Sequence, residues 1–348
     1  MSLSMRPLRT RAFAALAAVI ATLAASPAPA QQSVADFYKG KTVALLLGTG
    51  PGGSYDLYAR IFAEHLSRHI PGNPSIVIEH MPGAGGVNAG NHLFGPGPQD
   101  GTKILLSHAI IMSEVLTPQA GVRFQSAKFN WIGTYDAIAH TMAFWHESPV
   151  KTVADLKKGN VIVGSFAKAH FTYQWPAMMK DALGLDFKLI TGYPTGSTNN
   201  LAMERGEIHG WAASWENLIG TRPQWIKEKK VTLLMQFLLE RKHQIPDVPT
   251  LLELAPPDKK DIVEFMSAAT PFGRGVVVGP GVPAERVAAL RAAFAATIKD
   301  PAFVAMAQKR QVDIDWRDHQ HTMSLVKKIV GASPDLIARV KKSIGQEN

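Results

Sequence analysis

The chain has 348 residues, a formal net charge of +9 and no cysteine, which excludes disulfides, thiolate metal sites and cysteine nucleophiles. Its basic residues are scattered rather than gathered into a patch, so nucleic acid is not an expected partner. A chain of this length exceeds what one core usually serves, and two lobes are expected.

Residues 1–30 read as a secretory leader. Arg6, Arg9 and Arg11 precede an alanine-rich apolar stretch at 12–25, and Ala28-Pro29-Ala30 supplies the small residues of a cleavage site. The apolar stretch is shorter than the ~20 residues of a membrane span, and Thr10 separates Arg9 from Arg11, so the twin-arginine pattern is not met. The expectation is cleavage near Ala30 and a mature protein in the periplasm. Loss of the three arginines lowers the net charge to +6, a mild balance that favours anionic ligands.

In chain order, short β-branched or leucine-rich runs at 42–47, 75–79, 103–107, 161–165, 187–191, 231–234 and 276–279 are the predicted strands. Helical patterns separate them, which predicts βαβ units and mainly parallel sheets. Tyr58, Phe62, Leu66 and Ile70 recur every fourth residue between the first two strands, predicting an amphipathic helix stopped by Pro71-Gly72. Pro283 opens a second helix carrying Val287, Leu290, Phe294 and Ile298, stopped by Asp300-Pro301. With no repeat or long linker present, the lobes are expected to be 31–145 plus 278–348 and 146–277, the chain crossing within 142–152 and returning within 270–283.

The loop Gly48-Thr49-Gly50-Pro51-Gly52-Gly53-Ser54-Tyr55-Asp56 lies between the first strand and the first helix. Its glycines allow backbone N–H groups to approach a ligand, and the helix N-terminus favours an anion. Gly48, Gly50 and Gly53 also satisfy the dinucleotide fingerprint, with Glu79 in the place of a ribose-binding acid. Against that reading, Glu79 follows Gly53 by 26 residues rather than ~20, Pro51 stiffens the turn, and export removes the protein from the nicotinamide pool. A second cluster, Met81-Pro82-Gly83-Ala84-Gly85-Gly86, follows the second strand. In open parallel sheets such loops gather at one edge, where ligands bind. Loops at 164–170 and 192–199 supply hydroxyl and amide donors from the presumed second lobe.

Several weaker features remain. His65 and His69 have metal-ligand spacing but no evident third ligand, so a solvated helix face is expected. His319 and His321 read as an exposed turn. Trp211 and Trp215 flank Ser214 and either wall a pocket for an apolar ligand body or pack at the lobe junction. No Gly-x-Ser-x-Gly elbow occurs. No catalytic residue, metal ligand or cofactor is expected.

Taken in order, Gly50-Pro51-Gly52-Gly53-Ser54-Tyr55-Asp56, Pro82-Gly83-Ala84-Gly85-Gly86, Asp100-Gly101-Thr102, Ser148-Pro149 leading to Asp155-Leu156, Gly192-Tyr193-Pro194, Pro246-Asp247-Val248-Pro249-Thr250 and Gly281-Val282-Pro283 resemble a known family over nearly the whole mature chain. That family is the solute receptors of tripartite tricarboxylate transporters, the Bug receptors. The resemblance implies an α/β, two-lobed periplasmic binding protein fold of the type II kind, each lobe a mainly parallel sheet flanked by helices. It implies a monomeric, non-enzymatic receptor that closes on a small organic acid and delivers it to membrane permease subunits. Carried over, Gly52 and Gly53 N–H groups and the Ser54 hydroxyl hold a carboxylate, and Asp56 organises the loop. Gly85 from the second cluster and Ser165, His170, Thr195, Ser197, Thr198 and Trp215 from the second lobe complete the expected site. This chain departs from the family at Phe166-Ala167-Lys168-Ala169-His170, where glycine and serine are usual, and Lys168 offers a cationic contact. The rival readings are an exported dinucleotide-dependent enzyme and a receptor that reports to a membrane sensor.

Overall fold

The structure is a computed structural model that describes Met1 and residues 32–106, 109–116, 121–310 and 312–346. Residues 2–30 of the expected leader, and Ser107 at the end of one expected strand, lie outside these. Among the described residues no helix is long and apolar enough to cross a membrane.

Eleven strands are described: β1 (Thr42–Leu47), β2 (Ser75–His80), β3 (Lys103–Leu106), β4 (Asn130–Thr134), β5 (His140–Trp145), β6 (Ile162–Gly164), β7 (Lys188–Ile190), β8 (Gly210–Ser214), β9 (Val231–Gln236), β10 (Gly275–Val278) and β11 (Arg317–Asp318). They form two sheets, ordered β11-β4-β10-β3-β1-β2 and β7-β6-β8-β5-β9. In the first, β1 pairs parallel with β2 and β3, while β10 runs antiparallel between β3 and β4. In the second, β6 pairs parallel with β7 and β8, while β5 runs antiparallel between β8 and β9. The inserted strand of each sheet is the first one the chain makes on arriving from the other sheet. It enters from the opposite end, and its direction is reversed for that reason.

The strand β5 therefore hydrogen bonds in the five-stranded sheet, although the sequence reading ends the first lobe after Trp145. Likewise β10, read mostly into the second lobe, hydrogen bonds in the six-stranded sheet. The outward crossing lies at 135–139, and the return ends at Gly273-Arg274.

The predicted periodicities appear as buried faces. Val43, Leu45, Leu46 and Leu47 of β1 are fully buried, as a central strand covered on both sides requires. The helix that follows β1, α1 (Ser54–Leu66), buries Tyr58, Phe62 and Leu66 and ends four residues before Ile70, which is buried in the turn that follows. The helix α2 (Val87–Phe94) follows the second glycine cluster. In the second sheet, α3 (Phe171–Leu183), α4 (Gly196–Glu204) and α5 (Trp215–Thr221) follow β6, β7 and β8. Near the C-terminus, α6 (Ala284–Lys299) buries Val287, Leu290, Phe294 and Ile298. Asp300 ends that helix and caps the next, its carboxylate accepting the Ala302 N–H at 2.8 Å. One apolar cluster is continuous from Trp131 in the first sheet through Phe272 to Met142 and Trp175 around the second.

A buried ion pair joins the two crossings. Asp136 and Arg274 are both fully buried and in direct contact, and the Arg274 N–H donates to Asp136 Oδ1 at 2.9 Å. Gly273, at φ +40°, packs so closely that a Cβ would fall 1.3 Å from the Asp136 carbonyl oxygen. The guanidinium lies 3.5 Å from the ring centroid of Tyr58 and 4.9 Å from that of Tyr55. Beside it, the buried Glu216 carboxylate accepts the Ala139 N–H at 3.3 Å, and Lys242 bridges Glu216 and Asp313 at 3.5 and 2.9 Å.

Removing one member of such a pair leaves a buried charge without compensation, at a cost of about 3–5 kcal/mol. Arg274→Met is expected to lower stability by that amount in urea unfolding, and adding Asp136→Asn is expected to restore part of it. A single-variant loss below ~1 kcal/mol would show that the pair does not hold the crossings together.

Candidate functional site

Loops that follow the parallel strands lie at the C-terminal edge of each sheet, and here the two edges face each other. Their loops touch: the Ser197 hydroxyl donates to the Gly52 carbonyl, and a Cβ on Gly50 would meet the Thr195 methyl at 3.1 Å. Gly85, at φ +67°, lies against the Ala169–His170 backbone, where a Cβ would come within 3.0 Å of the His170 nitrogen. Between the sheets is a cavity of about 30 Å³, lined from the first side by Thr49, Gly50, Gly53, Ser54 and Tyr55. His140, Phe166, His170, Thr195, Gly196, Trp211, Ser214 and Asn217 line it from the second, with Ile138 of the crossing at its back.

The residues that cap four helices are all in this wall: Gly53 for α1, His170 for α3, Thr195 for α4 and Ser214 for α5. Gly53, without a side chain, provides no side-chain cap for α1. Thr195 and Ser214 each accept the third N–H of their helix, from Thr198 at 3.1 Å and Asn217 at 3.0 Å. Among the described residues lining the cavity there is no Lys, Arg, Asp or Glu. The groups of the lining that offer positive potential to an anion are therefore helix termini and backbone dipoles.

Behind the wall, Asp56 fixes the first loop. It accepts the Gly52 N–H at 3.2 Å and Arg60 Nε at 3.1 Å, and His80 Nε2 lies 3.2 Å from its second oxygen. Burial acts to raise the Asp56 carboxyl, but the Arg60 hydrogen bond, the Gly52 N–H and the charges of Arg60 and His80 together hold it below its usual value. His80 Nδ1 donates to the Thr49 carbonyl at 2.8 Å, tying the edge strand β2 to the same loop. On the second side, the indole N–H of Trp211 donates to Asn200 Oδ1 at 3.1 Å, and Asn200 donates in turn to Asn217 Oδ1 at 3.2 Å. That chain leaves the Asn217 NH₂ group beside Gly196, where a Cβ would meet it at 2.4 Å.

Of the residues singled out from sequence, Gly53, Ser54, His170, Thr195 and Trp211 line the cavity. Gly52 and Ser197 meet at its rim. Gly85 lines an adjoining cavity of about 290 Å³ that shares Phe166 and His170 with the first. Asp56 and Thr198 lie behind, Thr198 closing a reciprocal capping box with Thr195. Ser165 is fully buried and donates to the Ile190 carbonyl at 2.8 Å, and Trp215 packs with Ala139 and Ile245 at the crossing, so neither borders the cavity. Lys168 is exposed and borders neither space. Thr49 and Tyr55 also line it and belong to the glycine loop read as a whole, whereas His140, Thr172 and Asn217 were not singled out. Of these three, only Asn217 carries a local signal, three residues after a capping serine.

The remaining features have structural roles. His65 is buried rather than solvated, against the Phe303 ring and 3.7 Å from Asp300, which His69 contacts at 3.1 Å. No group of metal-binding side chains occurs among the described residues. Glu79 is held by Lys103 Nζ at 2.7 Å.

A family model described as the tripartite tricarboxylate transporter family receptor matches residues 58–341. The chain belongs to that family. A Cupriavidus necator relative named "UPF0065 protein in gbd 5'region" is 27% identical over 264 residues, which span 70% of this chain and 72% of that one. The structure of periplasmic binding protein BugD superposes with a TM-score of 0.72 at 20% identity, covering 89% of this chain and 99% of that one. MatC from Rhodopseudomonas palustris with bound malate gives 0.68 at 18% identity, covering 87% and 99%. A second R. palustris protein, with adipate, gives 0.67 at 18%, covering 88% and 97%. The fold of this receptor is thus the two-lobed α/β periplasmic binding protein fold, with two mixed, mainly parallel sheets flanked by helices.

Burial pushes the His170 imidazole down to about 3, and burial followed by the charges of His170 and Arg274 does the same to His140. Both are neutral at physiological pH. Between pH 3 and 6.5 the unfolded chain binds protons that these native histidines refuse, so their contribution to stability rises with pH through that window. Burial pushes Glu216 up to about 7 despite Lys242, and its contribution falls with pH from about 4.5 to 7. The double variant His140→Gln/His170→Gln is expected to flatten the rise. Between pH 4.5 and 6.5 the slope of unfolding free energy in urea is expected to be more positive in the unaltered receptor, by ~1.4 kcal/mol per pH unit for each histidine. Equal slopes would mean that the histidines are protonated in the native state.

Proposed function

We propose that this receptor captures a small carboxylate-bearing solute in the periplasm, between two closing lobes, and delivers it to the membrane subunits of a tripartite transporter. The lobes meet at the crossings 135–139 and 273–274. The convergence of the starts of α1 and α4 on one cavity between the sheets, lined by no Lys or Arg among the described residues, carries this reading. A carboxylate there receives charge-assisted hydrogen bonds of ~1.5–3 kcal/mol each from groups that fold with the backbone and need no counter-charge. Malate and adipate, the ligands of two structural neighbours, belong to the same chemical class. Binding and release require no covalent step, and the receptor acts as a monomer. Because the wall comes from both sheets, a ligand contacts both lobes only when they are closed, and that difference drives closure.

The test is calorimetry on the mature receptor with mono-, di- and tricarboxylates, paired with Gly53→Asp. Gly53 has φ −99°, and a Cβ there meets Gly196 N at an ordinary 3.5 Å, so aspartate fits. Aspartate is a favoured N-cap and is expected to preserve or raise stability while its charge repels the ligand, weakening binding at least tenfold. A folded protein that binds no carboxylate, or a Gly53→Asp variant that binds as well as the original, would refute the reading.

A further inference from the structure

The geometry points to a solute with one carboxylate and a planar aromatic body, the anion seated at the helix termini and the ring laid against Trp211. This inference rests on the receptor reading above and narrows it to a substrate class.

The cavity wall combines helix starts with aromatic rings. Gly50 and Gly53 lie against Thr195 and Gly196, and Gly196 lies against the Asn217 NH₂ group and the edge of the Trp211 ring, so the starts of α1 and α4, the Asn217 amide and Trp211 adjoin. The rings continue from Trp211 through Phe166 to His170. Phe166 stacks on His170 at 4.5 Å and 26°, and faces Trp211 at 6.1 Å and 23°. Trp211 is held in place by its bond to Asn200.

A second carboxylate against the rings would meet no Lys or Arg among the described residues that line the cavity, and burial keeps both histidines neutral. The start of α3 beside the rings is closed by its own loop: the Thr172 N–H donates to His170 Nδ1 at 3.2 Å, and the Tyr173 and Gln174 N–H groups donate to the His170 carbonyl. Burying an unpaired carboxylate is strongly unfavourable, whereas an aromatic ring gains both apolar burial and stacking there.

Room for the ring comes from the adjoining space. The inner cavity of about 30 Å³ holds little more than two waters as it stands. Phe166 and His170 also wall the neighbouring cavity of about 290 Å³. Phe166 is only partly buried and walls both spaces, so an outward turn of its side chain is the movement a ring requires to reach the Trp211 face. On this reading Phe166 occupies the slot that a ligand ring takes.

Calorimetry with benzoate, cyclohexanecarboxylate, malate and adipate tests this directly. Benzoate is expected to bind at least tenfold more tightly than each of the other three. Cyclohexanecarboxylate keeps the charge and size but lacks the flat π-face, so parity with benzoate would overturn the aromatic assignment. Malate or adipate binding as tightly as benzoate would overturn the single-carboxylate assignment and leave the receptor reading in place. Phe166→Leu, at a partly buried position, is expected to change benzoate affinity at least threefold and leave the weak dicarboxylate binding within twofold. Equal effects on both classes would also overturn the inference. If none of the four binds while another carboxylate of the wider panel does, the inference fails and the receptor reading stands.

Discussion

Asp136 and Arg274 meet where the chain passes between the sheets in both directions, and the geometry of the cleft depends on that contact. Each sheet borrows its reversed strand from the far side of a crossing, so the crossings must lie side by side for β5 and β10 to reach their slots. Gly273 permits this, because a side chain there would collide with the Asp136 carbonyl. The ion pair then fixes the spacing, with burial and the Arg274 charge pulling the Asp136 carboxyl in opposite directions. The same guanidinium lies over Tyr55 and Tyr58, and Tyr55 is part of the cavity wall. The crossings and the cavity wall are therefore in contact, as the proposed closure on a ligand requires.

The wall itself divides the work of recognition. Cationic side chains bind anions through charge that must be desolvated, and their long stems lose rotamer freedom on binding. Helix termini present aligned N–H groups already ordered by the fold. Asp56 on the first side and Asn200 on the second lie behind the wall and hold its donors in position, Asp56 through the Gly52 N–H and Asn200 through Trp211 and Asn217. A wall of this kind suits a receptor that must release what it catches, since dipoles hold an anion firmly only while water is excluded.

Much of the fold was legible because its signals are local. The β1 run and the four-residue spacing of Tyr58, Phe62 and Leu66 report burial directly, and the glycine loops mark the strand ends where the cleft forms. The strands missing from the predicted set are β4, interrupted by Gly133, β5, β8 with its glycine and alanines, and the two-residue β11. The reversed strands were hidden for another reason: nothing in 140–145 or 275–278 records which sheet will accept them. At the site, Ser165 and Trp215 each miss the cavity by one residue, beside Phe166 and Ser214, since neighbours at a strand end point to opposite sides. His140 was invisible because its place in the wall follows from the crossing. Lys168 promised a cation on charge alone, but its position in the turn before His170 leaves it in solvent.

The central claim is that a carboxylate is held at the helix termini of both sheets at once. Amide proton–nitrogen spectra of the labelled receptor, titrated with a carboxylate that binds saturably, test it most directly. The account predicts that the Gly53, Ser54 and Gly196 N–H resonances move furthest and downfield, together and with one affinity. Saturable binding that leaves those three amides in place would contradict it.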